Sequence, residues 1–179
     1  FMLGARSVNP DVSMSVRWTN EWVNPSGVTQ AVNELTDNGA DVINNQQTTT
    51  AAVETAASNE AWAFTYTTSM AEAGGDYYLT SPIWHWEEFY GPTLESVRDG
   101  TWESDAYWQG LESGVVGLDD FGPQVPDDVV SEVETQQQEI IDGDRDVWEG
   151  TKFEGESDEF LFGEMGSYVE GIDGEVPES

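Results

Sequence analysis

Short apolar runs alternate along this chain with polar, turn-forming stretches, and their spacing predicts a regular succession of elements. Phe1 to Val8 reads as the last turns of an apolar-faced helix that stops at Asn9-Pro10. No Ser, Thr, Asp or Asn precedes it as a cap, so the chain is expected to open inside a helix and to be part of a longer protein. Ser13 to Trp18 alternates apolar and polar positions, the pattern of a strand. The polar loop Thr19 to Asn24 leads to Pro25 at a helix start, where its missing N–H costs nothing. Val28, Ala31, Val32 and Leu35 then fall on one face of a helix that Asn38-Gly39 ends.

Ala40 to Ile43 is a short buried strand, Asn44 to Thr50 a polar loop, and Ala51 to Ala57 a helix of small residues. Trp62 to Tyr66 is a third strand. Strand–helix–strand–helix–strand at this spacing predicts right-handed βαβ units and a parallel sheet, an α/β fold. Beyond it the expected elements are a strand at Tyr77 to Ser81, a helix at Trp84 to Val97, a strand at Gly114 to Leu118 and a long amphipathic helix at Pro126 to Ile141. From Asp142 the chain is polar and turn-rich, with short segments around Phe160 and Tyr168. There is neither an internal repeat nor a Pro- or Gly/Ser-rich linker.

Charge changes this picture. Thirty-six acidic residues oppose five basic ones, a formal net charge of −31. Disorder is excluded by eight Trp, seven Phe and six Tyr together with the recurring apolar runs. A folded chain so charged repels itself, and molar salt, with a Debye length of about 3 Å, removes most of that repulsion. The acids are spread along the chain rather than clustered, which favours adaptation to high salt over a docking face for a basic partner. Five cations cannot neutralise a phosphate backbone, so no nucleic-acid partner is expected. No apolar stretch approaches the roughly 20 residues of a membrane span. Cysteine is absent, so disulfides and cysteine-based metal sites are excluded.

Catalytic constellations are hard to find. The single histidine, His85, lies between Trp84 and Trp86 without a nucleophile elbow and reads as a packed or exposed loop residue. Asp119-Asp120 and Asp142-Gly143-Asp144 do not match a calcium loop and read as solvated surface. Gly110 and Gly114 lack a phosphate-loop lysine and read as a turn. No enzyme, metal or cofactor is therefore expected.

The carboxyl ends of the strands, where open α/β sheets bind ligands, carry neutral hydrogen-bonding groups and aromatic rings. Thr19, Asn20 and Trp22 follow the first strand, and Asn44, Asn45, Gln46, Gln47 and Thr48 the second. Tyr66, Thr67, Thr68 and Ser69 follow the third, and Ser81, Trp84 and Trp86 the fourth. The candidate ligand-binding set is Asn20, Trp22, Asn44, Gln47, Thr48, Tyr66, Thr68, Ser69, Trp84 and Trp86. Such groups suit a neutral, flat, polar ligand such as a nucleobase, held by stacking and by bonds to its edges.

At these same loops the chain resembles the basic membrane protein family. The resemblance rests on the opening Phe1 to Pro10, on Trp22 to Pro25 and on Gly39-Ala40-Asp41-Val42-Ile43. Ala56-Ala57, Ala63-Phe64 and Thr80-Ser81-Pro82 fit the segments that follow. Asp99-Gly100-Thr101-Trp102, Trp108-Gln109-Gly110, Gly114 to Leu118, Val125-Pro126, Ile141-x-Gly143 and Tyr168 to Gly174 continue in the order of the purine-binding branch. The resemblance implies a type I periplasmic-binding-protein fold of two Rossmann-like lobes, here its C-terminal portion. Residues 1–70 would form the second lobe without its first strand. Residues 71–179 would cross the hinge and complete the first lobe. It further implies an extracellular, lipid-anchored solute receptor that holds a purine base or nucleoside between lobes and delivers it to an ABC permease. The signal peptide and lipidated cysteine would lie upstream.

Two departures stand out. Ser69 occupies a position where many relatives carry an acidic residue for ribose, and Ile83 to Trp86 lack a lysine that many carry. Stacking of a base on Trp84 or Trp86 is left in place. The rival expectations are a ligand-sensing domain of the same fold, and an α/β enzyme whose catalytic residues lie upstream.

Overall fold

A computed structural model describes residues 1–164, 168–174 and 176. The predicted helix after Pro25 forms as α2 (Pro25–Asp37), with Asn24 accepting a 2.8 Å bond from the Gly27 N–H as its cap. Its buried Val28 and Val32 face α3 (Ala51–Ser58), whose Ala52, Val53 and Ala56 are buried in turn. Small residues on α3 let the two helices approach closely over β2 (Val42–Asn44) and β3 (Trp62–Phe64). With β4 (Tyr78–Thr80) these make a three-stranded parallel sheet in the order β2-β3-β4. Ile43, Ala61, Ala63, Met70 and Tyr78 complete the buried cluster. The α/β class and the parallel sheet are as expected.

The rest departs from the expected elements in ways that have local causes. α1 (Met2–Val8) precedes β1 (Met14–Ser15), and β1 is shorter than the Ser13–Trp18 strand predicted by alternation. It does not join the main sheet. It pairs in parallel with β7 (Ile172–Asp173), Met14 opposite Ile172, so the end of the described chain returns to its beginning. Arg6 secures that return by donating from Nη1 to the Glu170 carbonyl at 2.7 Å. Trp18 Nε1 donates to the Tyr168 hydroxyl at 2.6 Å.

After a short α4 (Ala71–Gly74) and β4, the chain passes the buried Ser81 straight into β5 (Pro82–Trp84). The apolar pattern predicts a helix starting at Trp84. Instead Trp84 ends a strand, and the helix α5 runs from Trp86 to Asp99, ending at the left-handed Gly100. β5 pairs with β6 (Val116–Leu118) antiparallel, Pro82 opposite Leu118. The continuous stretch 78–84 thus runs along one sheet and then along another. α6 (Asp127–Asp142) and α7 (Asp158–Glu164) follow. No residue of α5 or α6 is buried, although both carry an apolar face.

Asp119 corrects the reading of its acidic pair as solvated surface. Its carboxylate accepts from the phenol of Tyr78, itself 0% exposed, at 2.6 Å. Its N–H donates to the Ser81 carbonyl at 2.9 Å, and its carbonyl accepts from the Thr80 hydroxyl at 2.9 Å. Gly122 N–H donates to the Leu79 carbonyl at 2.8 Å, and a Cβ at Gly122 would collide with the Tyr78 carbonyl. Four bonds therefore fasten the β6–α6 loop to the place where the chain leaves the first sheet.

Candidate functional site

β2, β3 and β4 finish level with one another, Asn44 opposite Phe64 and Phe64 opposite Thr80. Segments 45–50, 65–70 and 81–86 consequently leave the same edge of the sheet, the edge at which α/β folds bind ligands.

Asn45, 7% exposed, shapes the first of these segments. Its Oδ1 accepts from the Gln47 N–H at 3.1 Å and its Nδ2 donates to the Gln47 carbonyl at 2.7 Å. Asparagine commonly closes turns by bonding the backbone two residues on, and that propensity was the available signal for a residue the candidate set left out. Gln47 then reaches across to the loop after β1. Its Nε2 donates to the Thr19 hydroxyl and, at 2.8 Å, to the Glu21 carbonyl. β1 is not part of the main sheet, so this side chain is what draws the loop of Asn20 and Trp22 to the sheet's edge. Asn20 sits at φ +55°, a left-handed conformation that Asn tolerates better than most residues. Trp22 projects outward, 86% exposed. Asn44 accepts from Gln46 Nε2 at 3.3 Å, and Thr48 is exposed beside them.

A second group forms around segment 65–70. Thr67 lies at φ +62° and donates its N–H to the Pro82 carbonyl at 2.9 Å, which sets the segment alongside β5. Tyr66 is half-buried, and Thr68 and Ser69 are exposed. The Ser69 and Thr65 hydroxyls lie near enough to the Tyr78 phenol to oppose, weakly, the rise in its pKa. Burial, reinforced by the Asp119 carboxylate, holds that phenol's pKa well above the ordinary tyrosine value. Trp84 and Trp86 stand with ring centroids 6.3 Å apart and planes tilted by 46°. Trp86 continues to Tyr90 at 5.9 Å, giving a row of partly exposed rings.

Asn20, Trp22, Asn44, Gln47 and Thr48 thus come together, as do Tyr66, Thr68, Ser69, Trp84 and Trp86. No hydrogen bond or ring contact among the described residues joins the Trp22 loop to Trp84. A recess of about 220 Å³ adjoins the first group, lined by Arg17, Trp18, Thr19 and Asn24 with Gln30 and Glu34 of α2. Arg17 brings a cation to this recess, two residues from Thr19. A groove of about 660 Å³ lies elsewhere, between β6 and α6, and none of the candidate residues lines it. His85 lies at its margin, 3.6 Å from the Glu87 carboxylate. Among the described residues no acid or histidine cluster could hold a metal ion, and no helix is long and apolar enough to cross a membrane.

Comparison with known proteins bears on this edge. The Bmp family model, described as ABC transporter substrate-binding protein PnrA-like, matches residues 1–147. A putative ABC transporter glucose-binding protein of Haloferax volcanii is 51% identical, over 98% of this chain and 45% of its own length. A purine-binding protein of Brucella abortus is 33% identical, over 99% of this chain and 53% of its own. The chain therefore spans about half the length of these curated relatives. Among solved structures, a transcriptional activator of the comK gene from Bacillus halodurans superposes with a TM-score of 0.66 at 25% identity. That match covers 73% of this chain and 47% of the activator. An ABC transporter solute-binding protein from Conexibacter woesei gives a TM-score of 0.68 at 19% identity over 81% of this chain and 49% of its own, a likeness of fold.

Proposed function

This chain belongs to the Bmp family of ABC transporter substrate-binding proteins, and from that premise we propose that it forms part of an extracellular receptor that captures a neutral solute for an ABC importer. The observation that carries the reading is the shared edge of β2, β3 and β4, from which three of the candidate loops depart and to which Gln47 ties the fourth, the loop of Asn20 and Trp22. Its groups are amides, hydroxyls and indoles, which bind by directed hydrogen bonds and by stacking rather than by charge. With a net charge of −31 on the chain, an anionic solute would be repelled.

The proposed solute is a purine base or nucleoside, stacked on Trp22 or Trp84 with Asn20, Gln47 and Thr68 bonding to its edges. The Brucella abortus relative, purine-binding by name, supports this. A hexose is the second reading, because the Haloferax volcanii relative at 51% identity is named for glucose, and a sugar ring also stacks on indole and bonds to amides. Residues 1–70 are proposed as one lobe. The stretch 78–84, which passes from one sheet to another, is proposed as a hinge crossing toward the other lobe. A permease is the proposed membrane partner, with a lipid anchor upstream. The regulatory alternative draws on relatives such as the comK activator at 25% identity, a weaker likeness than that to the transporter protein. Nothing in the site favours turnover.

The test is calorimetric titration of the whole protein in molar salt with adenine, adenosine and glucose. Saturable binding of a purine alone supports the first reading. Binding of glucose alone replaces it with the second, and binding of neither refutes both.

A further inference from the structure

Among the proposed solute contacts, Gln47 has no side-chain group left to offer. Its Nε2 uses both hydrogens within the protein, on the Thr19 hydroxyl and on the Glu21 carbonyl. Its Oε1 is sealed from solvent and has no hydrogen-bond partner among the described residues. The amide cannot be turned round, because the Glu21 carbonyl only accepts and must face the NH2 group. Behind it, the buried Asn45 holds the Gln47 backbone at both its N–H and its carbonyl.

The two side-chain bonds fall on either side of Asn20. That residue lies at φ +55°, a conformation that residues other than glycine keep only where their surroundings hold it. The loop runs from β1, which pairs with β7 and not with the main sheet, to the Asn24 cap of α2. Between those ends, among the described residues, the hydrogen bonds that tie it to segment 45–50 are those of Gln47. Without them the loop keeps its ends and loses its middle, and the exposed ring of Trp22 can turn away from the sheet's edge.

Building on the solute-binding reading above, we propose that Gln47 is a positioning residue and not a solute contact: by gripping Thr19 and Glu21 it holds Asn20 and Trp22 in their binding arrangement before the solute arrives. A loop held in this way has little ordering left to do on binding. A loop freed of the brace reaches the competent arrangement only part of the time, and affinity falls by that fraction. The loss then lies in association, whereas removal of a group that touches the solute chiefly speeds dissociation.

The experiment compares the whole wild-type protein with Gln47→Leu and Thr19→Val in molar salt. Adenine, adenosine and glucose are titrated calorimetrically, stopped-flow tryptophan fluorescence gives the two rates, and near-UV circular dichroism checks the fold. Gln47→Leu removes both brace bonds and is expected to bind at least about tenfold more weakly. Association should slow to match, with dissociation within about twofold of wild type. Thr19→Val leaves the bond to Glu21 and is expected to show a smaller loss of the same kind, about threefold. If Gln47→Leu does not fold, Thr19→Val decides: slower association with unchanged dissociation supports the proposal, and any other pattern overturns it. Wild-type affinity in a folded Gln47→Leu, or a loss carried by faster dissociation, overturns the positioning role while leaving the solute-binding reading intact. Failure of the wild-type protein to bind any of the three solutes overturns both.

Discussion

Replacing Tyr78 with Phe removes one oxygen from a side chain that is 0% exposed and tests whether the β6–α6 loop is truly fastened to β4. The phenol donates to a carboxylate at 2.6 Å, and hydrogen bonds to charged groups contribute about 1.5–3 kcal/mol. Asp119 is only partly buried, so water can take over the vacated acceptor, and its backbone bonds to Ser81 and Thr80 survive. The ring still fills its place. The expected loss is therefore at the low end, about 1.5 kcal/mol. With a urea dependence of about 2.5 kcal/mol per molar, the unfolding midpoint in molar salt should fall by roughly 0.6 M.

The alkaline limb provides an internal check. The folded state holds the Tyr78 proton more tightly than the unfolded chain, in which tyrosine titrates near pH 10. Above that pH the unfolded chain binds fewer protons, so wild-type stability falls as pH rises, while this contribution is fully present below it. The gap between wild type and Tyr78→Phe should be constant below about pH 10 and close above it. A midpoint unchanged to within about 0.1 M, or a gap that does not narrow at high pH, would refute the reasoning.

Other outcomes follow from the same structure. Gly122→Ala places a methyl group into the Tyr78 carbonyl, a backbone atom that cannot step aside. It should destabilise by about 2–3 kcal/mol in urea melts, more than the phenol deletion, and a neutral result would mean the loop is not held there. Lowering salt from molar to millimolar should cost far-UV circular dichroism signal, since a net charge of −31 then repels itself unscreened. Indifference to salt would count against that account. A double substitution of Trp22 and Trp84 by Ala should abolish stacking-dependent solute binding; Trp22→Ala alone should leave the melting temperature unchanged, because Trp22 is 86% exposed and contributes little packing. Unchanged affinity would remove both rings from the site.

The core of the first half was legible in the sequence because local pattern and tertiary packing agree there. The apolar face of Val28 and Val32, the small residues of α3 and the runs at β2 and β3 could be buried in one way only, and they are. The Bmp family was legible too, from the order of short motifs along the chain. What the sequence could not supply were relations between distant residues. Alternation at residues 13–18 promised a strand of the main sheet, but backbone pairing is settled by whichever partner arrives, and β1 pairs with residues 172–173. Trp84 looked helical beside Trp86, yet antiparallel pairing with β6 keeps it in a strand.

The candidate residues were found by type and position, which is a statement about loops. Their roles were not visible, because Gln47 bracing a loop and Asn45 shaping one depend on which donors lie within three ångströms after folding. Asp119 illustrates the same limit. In a chain this rich in acids nothing in the sequence distinguishes the one carboxylate that meets a buried phenol from those that meet only water. Composition and periodicity determined the class of fold and pointed to the loops proposed as the binding edge. The tertiary structure alone decided which polar groups are engaged with one another, since a hydrogen bond is set by distance and direction, and neither is written in residue order.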